Sequence, residues 1–486
     1  MFVAVFLLSL GQAGSVPHYV STNGAANSPY LTWADAATQI QWAVDTAVNG
    51  ETVWVSNGIY TLTNQITITN VIILQSMNGC SNTIVDGNYP NVTSRCFYVA
   101  CGTIDGFTIT NGYVLTNDNN GYGGGVYVDT GSVYNCQVVG NTALGYGGGM
   151  YLNVGTSLAS TIKGNVSKSR GGGIYGRGAT LISNCLVMAN TTTNSDGGGF
   201  YGSAVILNSQ IISNVMNAVG NYSGGGLYLS GGYISNSVVS GNNALRTSGI
   251  FLNNCLGIFN SSISNNTAGA IAGGITIYVS SAGDIVPQVR NCKIINNYSP
   301  GGVGGIWVER GGCVRQCLIK NNGGSYCGGA LLYDVKQVLP GYLDSCTIMG
   351  NTATNTGGGI VTRGTNNNYS VSNCVVWGNT TNGSYASDVG DYSSSTNSYW
   401  ASGFTCANYT NFPAGRGNIT NNPQFVDFPA GDYRLAANSP CLNAGTNQNW
   451  MTNAVDFDGR QRIRYGIVDM GAYETIYEGT IYKLGF

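Results

Sequence analysis

Apolar and polar residues alternate in short runs along most of the chain, and these runs belong to two repeating motifs. The first is three glycines followed by an apolar and usually an aromatic residue, as in Gly123-Gly-Gly-Val-Tyr127. The second begins with Asn-Cys or Asn-Ser and ends in Asn, as in Asn135-Cys-Gln-Val-Val-Gly-Asn141. Each motif or a variant of it occurs ten times, with a period of 23 to 31 residues. A period of this length predicts a solenoid of stacked coils.

The alternation within each motif predicts short β-strands, because successive side chains of a strand point to opposite faces. Tyr127 is expected to point outward. The positions predicted to point inward are Val126, Val128, Val133, Cys136 and Val138. Equivalent residues of adjacent coils would lie about 4.8 Å apart, so that like side chains stack in columns. We therefore predict an all-β fold, a right-handed parallel β-helix solenoid of about ten coils.

Two columns of the repeat are expected to be structural. The final Asn of the second motif is present in all ten copies, where it suits a left-handed turn and its amide can also form a ladder from coil to coil. Another column holds either Cys or Ser, which indicates a small buried side chain. The cysteines of this column, predicted to be free core thiols, are Cys136, Cys185, Cys292, Cys317, Cys346 and Cys374.

The ends of a solenoid need caps, because open strand edges promote aggregation. Helical spacing of apolar residues predicts a cap helix over 34–48, and a tail with more Pro, Asp and Arg predicts an irregular C-terminal cap. The predicted divisions are a signal peptide (1–13), an N-terminal cap with the first strands (14–60), β-helix coils (61–379), an irregular coil and cap (380–474) and a tail (475–486).

Composition and the N-terminus indicate a protein that is secreted or lies on the extracellular surface. An apolar run before Gly11 and Ala13 resembles a signal peptide, although no Lys or Arg precedes it. The net charge of −2 provides no basic field for nucleic acid, and no later segment has the length and apolarity of a transmembrane helix. No cofactor is predicted, and the single histidine, His18, excludes a multi-histidine metal site or a Ser-His-Asp triad within the repeats.

Three parts of the chain carry a family resemblance. They are the opening Tyr19-Val-Ser-Thr-Asn23, the two coil motifs, and the tail from Asn422-Pro-Gln-Phe-Val-Asp427 to Asp469-Met-Gly-Ala-Tyr-Glu474. Together they resemble the bacterial choice-of-anchor Q right-handed β-helix proteins over nearly the whole chain. The coils alone are also similar to the repeats of chlamydial polymorphic outer-membrane adhesins. The resemblance implies an exported, surface-associated protein, and it transfers no catalytic residues.

A stripe of outward aromatic residues on consecutive coils is the first candidate site. The rings could form a platform for a polysaccharide or cell-surface glycan, or they could stack on one another and stiffen the sheet. The residues of the stripe are Tyr127, Tyr151, Tyr175, Tyr201, Tyr228 and Phe251, with Trp307 further along.

A charge cluster is the second candidate site. Arg290, Arg315 and Asp344 are predicted to share one column, with Lys293 and Lys320 nearby on the same strands. Two stacked arginines repel each other unless an anion lies nearby, and a uronic acid carboxylate would serve. A polysaccharide lyase uses such cations together with a base that removes a sugar proton. The alternative is a solvated Arg–Asp ladder of little energetic value.

Asp456 and Asp458 are weak candidates for calcium ligands, and a capping turn is the alternative. The preferred function is a secreted or cell-surface binding or adhesion protein that contacts extended polysaccharide, with possible self-association through the solenoid ends or faces. The alternative function is a polysaccharide lyase, or another glycan-degrading enzyme of pectate-lyase-like fold.

Overall fold

The computed structural model describes residues 16–116, 121–218, 220–334, 339–364, 369–382, 388–391, 401–408, 417–464 and 466–475. The predicted signal peptide and the tail beyond Thr475 lie outside these residues. The described chain winds into a parallel β-solenoid of about 12 turns, which confirms the predicted all-β fold. There are more turns than the ten motif copies because coils without the motifs still pair in register. Phe97–Val99, for example, pairs with Val126–Val128.

Each complete coil contributes strands to four successive rows, which form three parallel sheets. Rows one and two belong to one sheet, because the strands Ile174–Ser183, Phe200–Leu207 and Leu227–Ser235 extend through both. The other strands of row one are Ile66–Ile68, Phe97–Val99, Val126–Val128, Met150–Leu152, Ile250–Asn253, Ile275–Tyr278, Ile306–Glu309, Ala330–Asp334, Ile360–Gly364 and Val389–Asp391. The other strands of row two are His18–Val20, Thr52–Val55, Ile73–Ser76, Thr103–Asp105, Ser132–Tyr134, Thr156–Leu158, Gly257–Phe259, Gln288–Arg290, Gly312–Arg315, Gly341–Asp344, Tyr369–Ser372 and Ala401–Gly403.

Rows three and four each form a separate sheet. Row three consists of Gly58–Thr61, Thr83–Asp86, Thr108–Thr110, Gln137–Val139, Thr161–Lys163, Leu186–Met188, Gln210–Ile212, Val238–Ser240, Ser262–Ser264, Lys293–Ile295, Leu318–Lys320, Thr347–Met349, Val375–Trp377 and Cys406–Ala407. Row four consists of Tyr113–Val114, Thr142–Ala143, Val166–Ser167, Thr191–Thr192, Val215–Met216, Asn243–Ala244, Thr267–Ala268, Tyr298–Ser299, Gly323–Gly324, Thr352–Ala353 and Thr380–Thr381.

The core consists of stacked columns of like side chains. The five positions predicted to point inward in the coil of Val138 are all buried. Val138 lies opposite Ile162, and Ile162 lies opposite Val187, and each of the three is at most 1% exposed. The predicted stacking of equivalent residues is confirmed.

The final Asn of the second motif forms a continuous ladder of buried amides. In a typical step, the backbone N–H and Nδ2 of Asn190 both donate to Oδ1 of Asn214, each at 3.0 Å. The ladder runs from Asn141 to Asn379, where Asn379 donates to Oδ1 of Asp388. The prediction of a left-handed turn was wrong for this column. The left-handed turn belongs instead to the first Asn of the motif, as at Asn135 (φ 49°).

The third glycine of the first motif packs against this ladder. A Cβ atom at Gly173 would lie 2.7 Å from the carbonyl oxygen of Gly199 and 2.9 Å from Nδ2 of Asn190. Only a residue without a side chain fits between the coil and the amide column.

The six cysteines of the Cys/Ser column are buried and unpaired, as predicted. Burial raises the pKa of Cys136 to about 12. A thiol with such a high pKa stays protonated and is a poor nucleophile. Cys136 is therefore a packing element of the core, and the other five cysteines occupy equivalent buried positions of the same column.

The N-terminal helix covers Ile40–Thr46 and is shorter than the predicted 34–48. Its residues Ile40 and Val44 are buried, whereas Val48 is beyond the helix and 59% exposed. Gln41 closes the open edge of the first strand of row one, because its Oε1 accepts the Thr67 N–H at 2.7 Å and its Nε2 donates to the Thr67 carbonyl at 3.1 Å. No helix among the described residues has the length and apolarity needed to cross a membrane.

The C-terminal segment (417–475) follows the last coil. It contains an antiparallel hairpin, Phe425–Asp427 and Asp432–Leu435, and a 3-10 helix, Asn449–Met451. The segment starts beside the last strand and then runs back along the outside of rows two and three. The Ala472 N–H, for example, donates to Oγ1 of Thr347 at 2.9 Å. The segment therefore covers the flank of the last coils as well as their end.

Candidate functional site

The predicted aromatic stripe is a continuous stack of rings, here called the aromatic ladder. Its members are Tyr98, Tyr127, Tyr151, Tyr175, Tyr201, Tyr228 and Phe251. Successive ring centroids are 4.7 to 5.5 Å apart and successive ring planes differ by 4° to 27°. Tyr98 was missed from the sequence because its coil lacks the glycine motif.

This stacking settles which part of each ring can meet a partner. The faces of each ring point along the solenoid axis and lie against the rings of the neighbouring coils. Within the stack these faces are therefore not available to a partner. Ring edges and phenol hydroxyl groups are left for the outside. The rings therefore stack on one another, as one of the two alternatives from the sequence proposed. A glycan would contact the edges of the rings and not their faces.

A second layer lies beside part of the ladder. Tyr122 and Tyr146 stack on each other at 4.7 Å, and Tyr146 also stacks on Tyr175 at 4.7 Å. Tyr151 is only 2% exposed as a result. The guanidinium of Arg170 lies 4.7 Å from the ring centre of Tyr201. Sequence reasoning missed these residues, although each directly precedes a glycine motif.

The phenol groups remain protonated over a wide pH range. Burial raises the pKa of Tyr151 to about 12, and burial also raises the pKa values of Tyr127, Tyr175 and Tyr201. A protonated phenol both donates and accepts hydrogen bonds. Within the described residues, the hydroxyl groups of Tyr127, Tyr175 and Tyr201 show no hydrogen bond to the protein, and they are therefore open to an external partner.

Trp307 occupies the same column of row one but lies apart from the ladder. Thr276, which is buried, separates its coil from that of Phe251. The Trp307 ring lies 5.4 Å from Tyr333 instead. With Tyr326 and Arg363 among its neighbours, it borders a small cavity of about 160 Å³.

The charge cluster forms the predicted column in part. Arg290 pairs in register with Arg315, and Arg315 with Asp344, on adjacent strands of row two. The prediction that Lys293 and Lys320 share strands with the arginines was wrong, because the chain turns after each arginine and the lysines lie in row three. The two lysines also occupy different columns, since Lys293 is opposite Leu318 and not opposite Lys320. We call Arg290, Arg315 and Asp344 the charge column.

The C-terminal segment covers the charge column. The ring of Trp450 lies 5.4 Å from the guanidinium of Arg290 and 5.2 Å from that of Arg315. Trp450 Nε1 donates to Oδ2 of Asp344 at 2.7 Å, and Gln448 Nε2 donates to Oδ1 at 3.2 Å. Asp344 is 3% exposed, and burial raises its pKa. The column is therefore a docking surface for the chain's own C-terminal segment, and its catalytic role stays a prediction.

The two lysines also contact this segment. Lys320 Nζ donates to the hydroxyl of Tyr433 at 2.8 Å, and Lys293 Nζ lies 5.8 Å from the ring centre of Phe457. Each lysine therefore adds a cation–π or hydrogen-bond contact beside the charge column.

Asp456 and Asp458 form a turn in the C-terminal segment. Asp456 Oδ1 accepts the N–H groups of Asp458 and Arg460 at 2.9 and 2.7 Å, and its Oδ2 accepts the Glu474 N–H at 2.6 Å. Asp458 forms an ion pair with Arg460 at 3.3 Å. These contacts favour the capping turn over a calcium site. Across the described ranges, no three His, Cys, Asp or Glu side chains are grouped as metal ligands.

Comparison with known proteins gives likenesses among solved structures alone. The search of protein families finds none that matches, and the search of curated proteins finds none either. The chain is similar to pectate lyase Pel9A at 15% identity and a TM-score of 0.34, over 95% of this chain and 96% of that one. It is also similar to the A-module of the mannuronan C-5 epimerase AlgE6 from Azotobacter vinelandii at 15% identity and a TM-score of 0.32, over 79% of this chain and 95% of that one.

Proposed function

We propose that this protein is an exported or cell-surface β-helix that binds an extended polysaccharide along the aromatic ladder, without catalysis. The observation that carries the proposal is the row of outward phenol groups on consecutive coils, among which the hydroxyls of Tyr127, Tyr175 and Tyr201 form no hydrogen bond within the described chain. Sugar hydroxyls and phenol groups can each donate and accept hydrogen bonds. A polymer that repeats along its length suits a surface that repeats along its length.

The surroundings of the ladder support this proposal. Arg177 is exposed beside Tyr151 and places a cationic donor next to the phenols. Arg95, whose guanidinium lies 5.3 Å from the ring centre of Tyr127, is 6% exposed and donates from Nε to the Tyr122 carbonyl, so that it helps to hold the ladder in place. The rings are held by their neighbours, and a rigid surface loses little conformational entropy on binding.

Substitution of three phenols by phenylalanine tests the proposal. In the variant Tyr127→Phe, Tyr175→Phe and Tyr201→Phe, the stack should persist, since Phe251 already occupies this column. We expect the affinity for the best ligand of an immobilised polysaccharide panel to fall at least tenfold, with an unchanged melting temperature.

Tyr342→Phe is the matched control, because Tyr342 is an outward tyrosine of row two, 40% exposed and away from the ladder. Its affinity should equal that of the unmodified protein. Equal affinity of the triple variant and the unmodified protein would remove the ladder as the binding surface.

Export and surface association are parts of the same proposal. The apolar run before Gly11 and Ala13 and the resemblance to choice-of-anchor Q proteins support them. Residues 1–20 fused to a reporter enzyme that is active only outside the cytoplasm should give activity. Activity retained after Leu7→Asp and Leu8→Asp would contradict the assignment.

A further inference from the structure

A cleft of about 420 Å³ lies at the N-terminal end of the solenoid. One wall is the helix Ile40–Thr46, which contributes Trp42 and Asp45, and the other is the first strands with the turn at 61–65. Trp42 is 40% exposed. Trp42 and Asp45 also border an adjoining, more open concavity with Tyr30.

The cleft combines one exposed indole with hydroxyl and amide groups. Thr61, Asn64 and Gln65 line the wall opposite the helix. Gln41 holds Asp45 in place by donating from Nε2 to Oδ1 at 2.7 Å, while Oδ2 of Asp45 accepts no hydrogen bond within the described chain. An apolar ring face beside several fixed polar groups is the arrangement that fits a sugar, which has an apolar face and a rim of hydroxyls.

The charges around the cleft select against anionic sugars. Asp45 is the one acidic residue among the described residues that line the cleft, and no Lys or Arg is among them. A uronate carboxylate would face the Asp45 carboxylate here, and no cation in the lining would pair with it. The site therefore suits uncharged sugar units.

The cleft continues the line of the aromatic ladder. The Gln41 side chain pairs with the backbone of Thr67. Thr67 in turn lies in register with Tyr98, the first ring of the ladder. Gln65 also borders a neighbouring concavity of about 300 Å³ that contains Arg95, and Arg95 lies over Tyr127. A chain lying along the ladder would therefore reach the cleft.

We infer that the cleft beside Trp42 is a binding site for neutral sugar units. The Trp42 indole packs against a sugar face, and Asp45, Asn64 and Gln65 bond its hydroxyls. This inference extends the proposed function, but it uses residues outside the ladder.

Short ligands that occupy the cleft without covering the ladder provide the test. Isothermal titration would use neutral β-1,4-linked gluco-, manno- and xylo-tetrasaccharides and, for comparison, tetragalacturonate. We expect at least one neutral tetrasaccharide to bind, Trp42→Ala and Asp45→Asn each to weaken it at least tenfold, and tetragalacturonate not to bind. Trp33→Ala is the matched control, because Trp33 is 39% exposed but packs at a tilt against Tyr19, outside the cleft.

Three results would overturn the inference: no binding of a neutral tetrasaccharide, equal loss in Trp33→Ala and Trp42→Ala, or a preference for tetragalacturonate. Asp45→Asn changes an exposed side chain and keeps the result interpretable if Trp42→Ala perturbs the helix. The triple phenylalanine variant separates this inference from the proposed function. It should bind the tetrasaccharide normally while losing the long polysaccharide, so that either site can fail alone.

Discussion

The aromatic ladder and the charge column are built in the same way, by stacking equivalent residues of successive coils, and yet one is open and the other is covered. In the ladder, Tyr175 and Tyr201 have ring centres 5.5 Å apart, and their hydroxyls face no protein partner among the described residues. In the charge column, Arg290 and Arg315 are equally close in register, but Trp450 lies over both of them.

The difference follows from what is being stacked. Stacked aromatic rings attract each other and remove apolar faces from water, so that the column is stable with its edge exposed. Stacked guanidinium groups repel each other, and burial together with Arg315 lowers the pKa of Arg290. Such a column needs a counter-charge, which Asp344 supplies, and Trp450 of the C-terminal segment adds a cation–π contact to both guanidinium groups. The exposed edge of the aromatic ladder can therefore contact another molecule, whereas the charge column holds the C-terminal segment against the coils.

The largest expected effect is the loss of the counter-charge. Asp344→Ala would leave Arg315 without its ion-pair partner at 3.8 Å and Trp450 Nε1 with Gln448 Oε1 as its remaining acceptor at 3.0 Å. The buried Asp344 carboxylate also accepts hydrogen bonds from Trp450, Gln448 and Asn373. A hydrogen bond to a charged group contributes about 1.5–3 kcal/mol, so that we expect a loss of about 3–5 kcal/mol in the docking of the C-terminal segment. Limited proteolysis should cleave that segment much faster in the variant.

Asp427→Ala is the control for this experiment, since Asp427 is an exposed acid of the same segment. It should leave the cleavage rate unchanged. Unchanged cleavage in Asp344→Ala would mean that the charge column does not hold the segment.

A pH effect is expected where the amide ladder ends in an acid. Burial raises the pKa of Asp388 to about 6, whereas an unfolded Asp titrates near 3.9. The folded state therefore takes up a proton between about pH 4 and 6, and the contribution of Asp388 to stability is lost as the pH rises through that interval, by at most about 3 kcal/mol.

Asp388→Asn should remove this slope. The Asn amide keeps an acceptor oxygen for Asn379 but offers none to the Asn408 N–H. The loss of this hydrogen bond lowers the stability of the variant by about 1 kcal/mol, and this contribution does not depend on pH. Urea midpoints would be measured by circular dichroism from pH 4 to 7 in both proteins. The difference between the two pH profiles isolates the effect of Asp388, because the other titrating groups are the same in both proteins. Parallel pH profiles would contradict the raised pKa.

A smaller effect is expected from a gap in the ladder. Tyr175→Ala removes the stacking with Tyr151, Tyr201 and Tyr146. Each aromatic pair contributes about 0.5–1.5 kcal/mol beyond its buried area, so that we expect a loss of about 2 kcal/mol in the free energy of unfolding. Tyr342→Ala should change it by less than about 0.5 kcal/mol, as is usual for an exposed position. Equal losses would mean that the stack does not stabilise the solenoid.

No change is expected in the last comparison, which concerns lyase chemistry at the charge column. Since Asp344 and both arginines are engaged by the C-terminal segment, incubation with pectate, alginate and ulvan should give no ultraviolet absorbance from unsaturated products. Product formed by the unmodified protein and lost in Arg315→Gln would establish the enzymatic alternative.

Internal repetition explains how much of the fold was predictable. Val138 and Asn141 recur at equivalent positions in ten copies, so that their inward direction and their stacking followed from the sequence. The same repetition predicted the ladder from Tyr127 to Phe251 and the register of Arg290 with Arg315. Each of these contacts joins residues about one period apart.

Contacts outside the repeat were not predictable. Trp450 and Asp344 are 106 positions apart, and Trp450 lies in an irregular segment without a periodic pattern. The Gln41 side chain forms two hydrogen bonds with the Thr67 backbone, as a neighbouring strand would. Nothing in the helical sequence around Gln41 indicates these contacts. The cover over the charge column and the cleft beside Trp42 therefore required the structure.

Hydroxyl-radical footprinting with and without the best-bound polysaccharide tests the contrast between the two columns most directly. We predict that the ligand protects Tyr127, Tyr175 and Tyr201 from oxidation and leaves the oxidation of Trp450 unchanged. Protection of Trp450, with no protection in the ladder, would contradict the account.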